Sequence, residues 1–544
     1  MSITPSNRLE SFARSAYRRG FDSRRLAIIV RKNTRQAPAS AGVWGPRVAT
    51  GLAAMLLASF MAGLNDRVTA TALADIRGAL GIGHDEGTWV LALYEATNVA
   101  MMAFAPWFAG TFSIRLFSIF AIMIVAGTAL LCPFAPNVEM LLVLRTVQGI
   151  GAGCLPPLLL TVCLRYLPPH IRLYGLAGYA MTATFGPNLA TPLAALWTDY
   201  VSWQMAFWQI VPLCLFSAVG LAWGLPQDAL RLERLRQFNW IGFVTGFSAI
   251  AMLVIALMQG DRLDWLRSDV ICALLMGGVG LLGFFFVNEW THPQPFIRLH
   301  LLTQRNFVHA LVSLTGILVV FAGLTAIPTA YLGSVRDYRP LEVAPMLLLV
   351  ALPQVVTLPL TAALLNIPRV DCRWVMGIGF ALVCVSCALG SFLTEEWVRE
   401  NFYLLQAMLI LGQPMIVVSI LMELTGGMAP SDGPFTSAMF NTSKGFATAI
   451  GVAVVSSLTR DRGRYHSEMT VDRLGNVPGI AMPDMSTDAA LRAIGARIRD
   501  QVNVLTAADL YRVMGLITFA LLLLTLFLPT RTVPPRPVGA PPSR

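Results

Sequence analysis

The sequence predicts an all-α polytopic membrane protein with fourteen transmembrane helices, and three observations predict it. Apolar stretches of about the bilayer-spanning length, roughly 20 residues, recur fourteen times along the 544-residue chain. Hydrophobic residues make up 56% and charged residues 13%, against roughly 45–50% and 25% in soluble domains, so too little polar surface exists to cover a water-soluble body. Mean hydropathy is +0.64. The stretches are also uniformly apolar, whereas a β-barrel would show shorter, alternating segments, and lipid leaves no backbone unpaired.

Taken in order, residues 1–47 form a basic tail with ten Lys/Arg against Glu10 and Asp22. Such a tail lies on an anionic inner leaflet and places the N-terminus in the cytoplasm. This also accounts for the net charge of +10 better than nucleic acid does, and no nucleic-acid partner is expected. The first apolar run begins near Val48 and continues into a full span, so no cleavable signal peptide is read. Spans are expected near 48–73, 88–110, 116–135, 139–164, 172–197 and 204–225, forming an N-terminal six-helix unit over 48–225. Residues 226–305 hold a basic linker (226–237) and two further spans near 238–258 and 269–289. The unit 306–530 follows, with spans near 306–332, 342–366, 373–393, 402–425, 435–457 and 511–530. Within it, 458–510 reads as a long periplasmic loop with one helical stretch from Asp488, N-capped by Thr487, and a capping box at Thr506–Asp509. An even number of spans returns the 531–544 tail to the cytoplasm.

Energy source and chemistry are bounded by what the chain carries. Its two lysines, Lys32 and Lys444, are followed by Asn and Gly. Neither can form the Gly-Lys-Ser/Thr loop of a P-loop ATPase, so the chain carries no such ATPase of its own; a partner ATPase stays open beside the simpler energy source, an ion gradient, and no cofactor is expected. No nucleophile–base pair or metal-ligand set argues for an enzyme. Cys384-Val-Ser-Cys387 has redox spacing but lies in an apolar helix without His or acid, and small apolar filler is the better reading of the eight cysteines.

The charges inside spans are the informative exceptions. At about 1.5 Å per residue, Asp66 and Arg67 lie roughly 27 Å from the inner end of the first span. Glu95 lies about 10 Å below the outer end of the second, and Arg145 at a similar depth in the fourth. Two acids and two arginines from three helices therefore share one layer. Adjacent Asp66 and Arg67 point about 100° apart, so Arg145 is expected to pair with Asp66 or Glu95. A guanidinium in hydrocarbon costs several kcal/mol unless paired or wetted. One reading is a proton site, since a carboxylate in a partly dry cavity releases its proton reluctantly and an approaching arginine reverses that. The other is a static ion pair locking three helices. Lys444, about 14 Å into the thirteenth span, either binds an anionic group or hydrogen-bonds statically to Asn441. Glu423 and Glu289 sit at span ends, and Glu423 reads as interfacial. Gly149, Gly151 and Gly153 allow close helix approach, while Pro156-Pro157, Gly186-Pro187 and Pro353 can kink spans. Proton coupling is thus assigned to Asp66, Glu95 and Arg145, and a substrate cavity to Arg67, Tyr94, Gln148, Asn441 and Lys444.

In their order, several motifs are similar to those of the major facilitator superfamily, specifically the 14-span drug:proton antiporter branch of the EmrB/QacA type. Arg145-Thr-Val-Gln148-Gly149-Ile-Gly-Ala-Gly153 resembles the fourth-helix motif whose arginine is tied to proton coupling. Gly186-Pro187-Asn-Leu, with Trp197-Thr-Asp199 through Phe207, resembles the fifth-helix antiporter motif and its outer loop, making Gly186 and Pro187 gating residues by resemblance. Asp261-Arg-Leu-Asp264-Trp265 and the run from Pro295 to Phe307 also look like this branch. Asn441-Thr-Ser-Lys444 stands where such exporters commonly have Asn-x-x-Arg. The chain departs from the pattern at Leu64-Asn65-Asp66-Arg67, where the acid is displaced by one and an arginine added. It departs again at Gly110–Arg115, which lacks the usual Asp, and at Ala190-Thr191 in place of a Gly pair.

The resemblance implies two six-helix bundles around a central cavity with two inserted helices. It implies a proton-coupled antiporter exporting hydrophobic or amphiphilic organic compounds, including drugs, across a bacterial inner membrane. It further implies a periplasmic adaptor (membrane fusion protein) and an outer-membrane channel as partners. Two alternatives stand beside it: proton-coupled uptake of an organic acid, and a non-transporting receptor or scaffold.

Overall fold

The computed structural model describes residues 44–426, 428–476 and 488–527. Among these, fourteen helices of at least 15 residues follow one another: α1 (Pro46–Thr71), α2 (His84–Met102), α3 (Ile114–Leu131), α4 (Val138–Tyr166), α5 (Arg172–Tyr200), α6 (Ile210–Gly224) and α7 (Trp240–Gln259). After them come α8 (Asp269–Thr291), α9 (Arg305–Val335), α10 (Pro340–Leu365), α11 (Cys372–Gly390), α12 (Tyr403–Thr425), α13 (Gly433–Asn476) and α14 (Asp488–Leu524). No strand occurs among the described residues. Eleven helices are long and apolar enough to cross a membrane. The three that are not, α2, α5 and α13, carry polar residues such as Glu95, Asn188 and Asn441 on buried faces.

The helices assort as two bundles. In the first, α1 packs on α5 and α6, α2 on α4, and α3 on α4 and α6. In the second, α9 packs on α13 and α14, α10 on α12, and α11 on α12 and α14. The bundles meet where α5 packs on α10 and where α13 packs on α2 and α4. The inserted α7 docks on α2 with α8 outside it. Burial grades accordingly: 83% of the apolar window of α4 is inside the protein but only 17% of that of α8.

Sequence explains the tightest crossing. A Cβ at Gly149 would collide with the carbonyl of Tyr94, and one at Gly153 with the carbonyl of Asn98. Only glycine lets α4 lie this close to the backbone of α2.

Three expectations are corrected. The second span is not one rod over 88–110, because the helix turns at Ala103 and Phe104 and restarts at Ala105–Phe112 with Pro106 in its first turn. Proline lacks the N–H a continuous helix needs. The predicted loop 458–510 is largely helix, since α13 runs for 44 residues and α14 begins at Asp488. At 1.5 Å per residue α13 is about 66 Å long, roughly twice the hydrocarbon thickness, so its last part projects beyond the bundle. Third, Thr506 and Asp509 lie mid-helix and cap nothing. Instead Asp509 binds His466 at 2.9 Å and Arg512 at 2.8 Å, tying the α14 extension to that of α13. Arg460 reaches Asp261 at 3.1 Å and Asp264 at 3.2 Å in the α7–α8 connection. The N-cap expected at Thr487 lies outside the described residues, as do the basic residues of the tail up to Arg35 and the tail from 531.

Candidate functional site

Between the two bundles lies a cavity of about 670 Å³, within the ordinary range for small-molecule sites, roughly 300–1,000 Å³. Thr71 at the end of α1, Gly333 near the end of α9, Tyr338 before α10, Pro340 at its start, and Ser456 of α13 all line it. It therefore opens at the end opposite the start of α1. Its walls are mainly apolar, with Met102, Leu318, Phe321, Val343 and Val452 among them. Asp66, Arg67, Glu95, Asn98, Gln413 and Lys444 add polar and charged groups.

The other end is closed by contacts between the bundles. Tyr179 of α5 donates its hydroxyl to Asn441 Oδ1 of α13 at 2.6 Å. Ser437 of α13 donates to the Pro157 carbonyl of α4 at 2.6 Å. Nearer the start of α1, Asn366 Nδ2 donates to the His170 carbonyl at 3.3 Å. Pro157 cannot engage its own N–H in the ladder, and its carbonyl serves both Thr161 and Ser437.

Arg145 is fully buried on α4. Its Nη1 donates to Gln148 Oε1 at 2.6 Å, and its guanidinium carbon lies 4.0 Å from the centre of the Tyr94 ring, a cation–π contact. Tyr94 is itself fixed by donating to the Ala62 carbonyl at 3.2 Å. Arg145 Nη2 stands 3.8 Å from Asp66 Oδ1, too far for a hydrogen bond, and Nε and Nη2 have no hydrogen-bond acceptor. Arg67 Nε lies 4.0 Å from Asp66 Oδ2. Of the two acids expected as partners of Arg145, the nearer is thus Asp66, in a loose pair. Glu95 accepts from Asn98 Nδ2 at 3.0 Å. Lys444 Nζ lies 5.3 Å from the centre of the Tyr179 ring and not on Asn441, which instead donates to the Ser437 carbonyl at 2.9 Å.

The assigned residues divide. Asp66, Glu95, Arg67, Lys444 and Pro187 line the cavity. Tyr94, Gln148 and Asn441, expected to line it, are fully buried behind its surface: two of them hold Arg145 and the third closes the floor. Gly186 is also buried, facing the Phe60 ring. Glu423, expected at the interface, is 2% exposed, because α12 packs on α9 there and His309 Nδ1 comes within 2.9 Å of its carboxylate. Glu289 is buried too, accepting from Asn239 Nδ2 at 2.9 Å and from the Phe296 and Ile297 amides, so it caps the chain leading to α9. The sequence reading missed Asn98, Gln354 and Gln413. The last two are amides next to prolines (Pro353-Gln354, Gln413-Pro414) inside apolar spans, a signal present but unused.

Comparisons with known proteins agree with this architecture. The family described as Major Facilitator Superfamily matches residues 55–452. The colistin resistance protein EmrB of Acinetobacter baumannii is 24% identical over 493 residues, covering 88% of this chain and 95% of that protein. The multidrug export protein EmrB of Escherichia coli is 25% identical over 425 residues, 77% of this chain and 81% of that protein. The fatty acid resistance protein FarB of Neisseria gonorrhoeae is 29% identical over 295 residues, 53% of this chain and 58% of that protein. Among solved structures, the human organic anion transporter TETRAN superposes with a TM-score of 0.54 at 13% identity, over 87% of this chain and all of that one.

Proposed function

The chain belongs to the Major Facilitator Superfamily, and on that premise we propose that it is a proton-coupled antiporter exporting hydrophobic or amphiphilic organic compounds. It is a multi-pass membrane transporter and not an enzyme. Export is supported by relatives named for multidrug export and fatty acid resistance, and by a mainly apolar cavity of drug-sized volume.

The observation that carries the coupling is the loose pair at the cavity wall. Arg145 is buried with two N–H groups unmet, and Asp66, open to the cavity, lies 3.8 Å from one of them. A static lock would be closed, as Arg165–Asp228 is at 2.8 Å. A gap of about 1 Å beyond hydrogen-bond length leaves two states within reach: Arg145 closes on an ionised Asp66, or Asp66 takes a proton from the cavity and Arg145 stays on Gln148 and Tyr94. Glu95, in the same cavity, shares that proton traffic.

In this reading all fourteen helices cross the inner membrane of a bacterium and both termini are cytoplasmic. The open end of the cavity then faces outward, the state that releases cargo and loads a proton. Breaking Tyr179–Asn441 and Ser437–Pro157 opens the other end. The α13–α14 extension would then stand in the periplasm, where an adaptor protein leading to an outer-membrane channel would meet it.

The test is flux in proteoliposomes under an imposed pH gradient, with internal pH recorded alongside a panel of lipophilic compounds. Proton movement opposite to a compound, lost in Asp66→Asn, is the expected result. Movement in the same direction would establish uptake instead, and unchanged coupled flux in Asp66→Asn and in Glu95→Gln would remove the proposed proton site.

A further inference from the structure

Among the described residues, two charged groups of the cavity have no ionic partner within 4.0 Å. Glu95 is held by one hydrogen bond from Asn98, and among the described residues no Lys or Arg nitrogen lies within 4.0 Å of its carboxylate. Lys444 extends over the Tyr179 ring, and among the described residues no carboxylate lies within 4.0 Å of its ammonium. The remaining charged groups around them are Asp66 and Arg67 of α1 and, behind Asp66, Arg145 of α4; Asp66 stands 4.0 Å from Arg67 Nε and 3.8 Å from Arg145 Nη2. Glu95 and Lys444 line the same cavity without closing into a salt bridge. One comes from the first bundle and the other from the second, and Met102, Leu318 and Phe321 supply apolar wall in the same cavity.

An open pair of opposite charges beside apolar surface fits a ligand that carries both charges. We propose that the preferred cargo is an amphoteric amphiphile, with its cationic nitrogen on Glu95, its carboxylate on Lys444 and its apolar part against Phe321 and its neighbours. A simple cation would leave Lys444 uncompensated, a simple anion would leave Glu95, and each unmatched charge in a partly dry site costs affinity.

The proposal rests on the exporter reading and gives it a sign. A proton arriving on Glu95 removes the partner of the cargo's nitrogen while Lys444 still holds the carboxylate. Proton and cargo then compete for Glu95, as exchange requires. A purely anionic cargo would bind better with Glu95 protonated, which is the sign of co-transport.

Three probes matched in their apolar group test this: 3-(2-naphthyl)alanine, its methyl ester (cation only) and its N-acetyl derivative (anion only). Equilibrium binding to the full chain in nanodiscs is measured, followed by flux in proteoliposomes with 2-ethylnaphthalene as uncharged control. The amphotere is expected to bind at least about tenfold more tightly than either derivative, equivalent to ~1.4 kcal/mol. Lys444→Met should abolish its advantage over the ester and Glu95→Gln its advantage over the N-acetyl compound, while Lys444→Arg should retain the preference and so exclude misfolding. Equal binding of the three probes, or a preference that survives both neutral variants, overturns the proposal. Coupled flux of all four compounds at equal rates would overturn the charge pairing but leave the exporter reading. Absence of coupled flux for all four would overturn both.

Discussion

The two bundles bury polar groups on corresponding helices but with different chemistry. In the first, the second and fourth helices, α2 and α4, carry Glu95 and Arg145, with Asp66 adjacent on α1. In the second, the second and fourth helices, α10 and α12, carry Gln354 and Gln413, whose amides join at 2.6 Å. The amide pair is joined by one bond, from Gln354 Nε2 to Gln413 Oε1, with Gln354 Oε1 left unpaired, and amides do not titrate at any ordinary pH, whereas a carboxylate can gain or lose a proton. The carboxylates that line the cavity, to which the proposed coupling is assigned, therefore both belong to one bundle. The other offers the neutral amide brace, the buried His309–Glu423 pair between α9 and α12 and, from α13, the ammonium of Lys444.

The largest expected effect tests that asymmetry directly. Arg145→Ala should lower proton-coupled flux by at least about tenfold, since it removes the buried guanidinium that the proposed exchange sets against Asp66. The proteoliposome assay reads it at matched protein. An equal loss in Gln354→Leu would break the comparison.

A second effect sharpens it at the backbone. Gly153→Val drives a side chain into the Asn98 carbonyl, and overpacking of this kind costs ~1–3 kcal/mol. Its melting temperature in detergent should fall, whereas Gly280→Val on the peripheral α8, where a Cβ meets nothing within 4 Å, should leave it unchanged.

The third concerns the amide pair itself. Gln354→Leu alone leaves Gln413 unsatisfied, at ~1–3 kcal/mol, whereas replacing both partners by apolar groups is nearly neutral. Chemical denaturation of the two single variants and the double variant should thus be strongly non-additive. Additive losses would mean that each glutamine has a partner beyond the other.

The smallest effect lies outside both layers. Asp509→Asn loosens the tie to His466 and Arg512 by less than about 1 kcal/mol. Hydrogen exchange in the helical extensions should quicken while flux stays unchanged.

Much of this was legible in residue order. Most helices found lie within a few residues of the predicted spans, because lipid enforces continuous apolar helix and little else; α2 stops early at Met102, while α13 and α14 run well beyond the apolar stretches. Asp66, Glu95 and Arg145 stood out because charge in a span is expensive, and their shared layer followed from rise per residue. The misreadings have a common cause. Tyr94 and Gln148 are on the right helices but turn behind the wall, since the glycines of α4 pull α2 so close that both side chains wrap Arg145. Glu423 looked interfacial until α9 brought His309 against it. The extension 458–510 read as a loop because its charges obscure a helix that pairs with a neighbour through side chains far apart in sequence.

By itself, then, the sequence determined that the chain is a many-helix membrane protein, where its helices fall, and which few residues pay for carrying charge among them. Hydropathy and helical rise are local properties, and local properties can be read in one dimension. Tertiary structure alone decided that Arg145 faces Asp66 across a 3.8 Å gap, that Asn441 closes the floor with Tyr179 while Lys444 stays open, and that the cavity faces one end. Those are relations between helices from different parts of the chain, set by how glycines and prolines let backbones approach, and no single segment contains them.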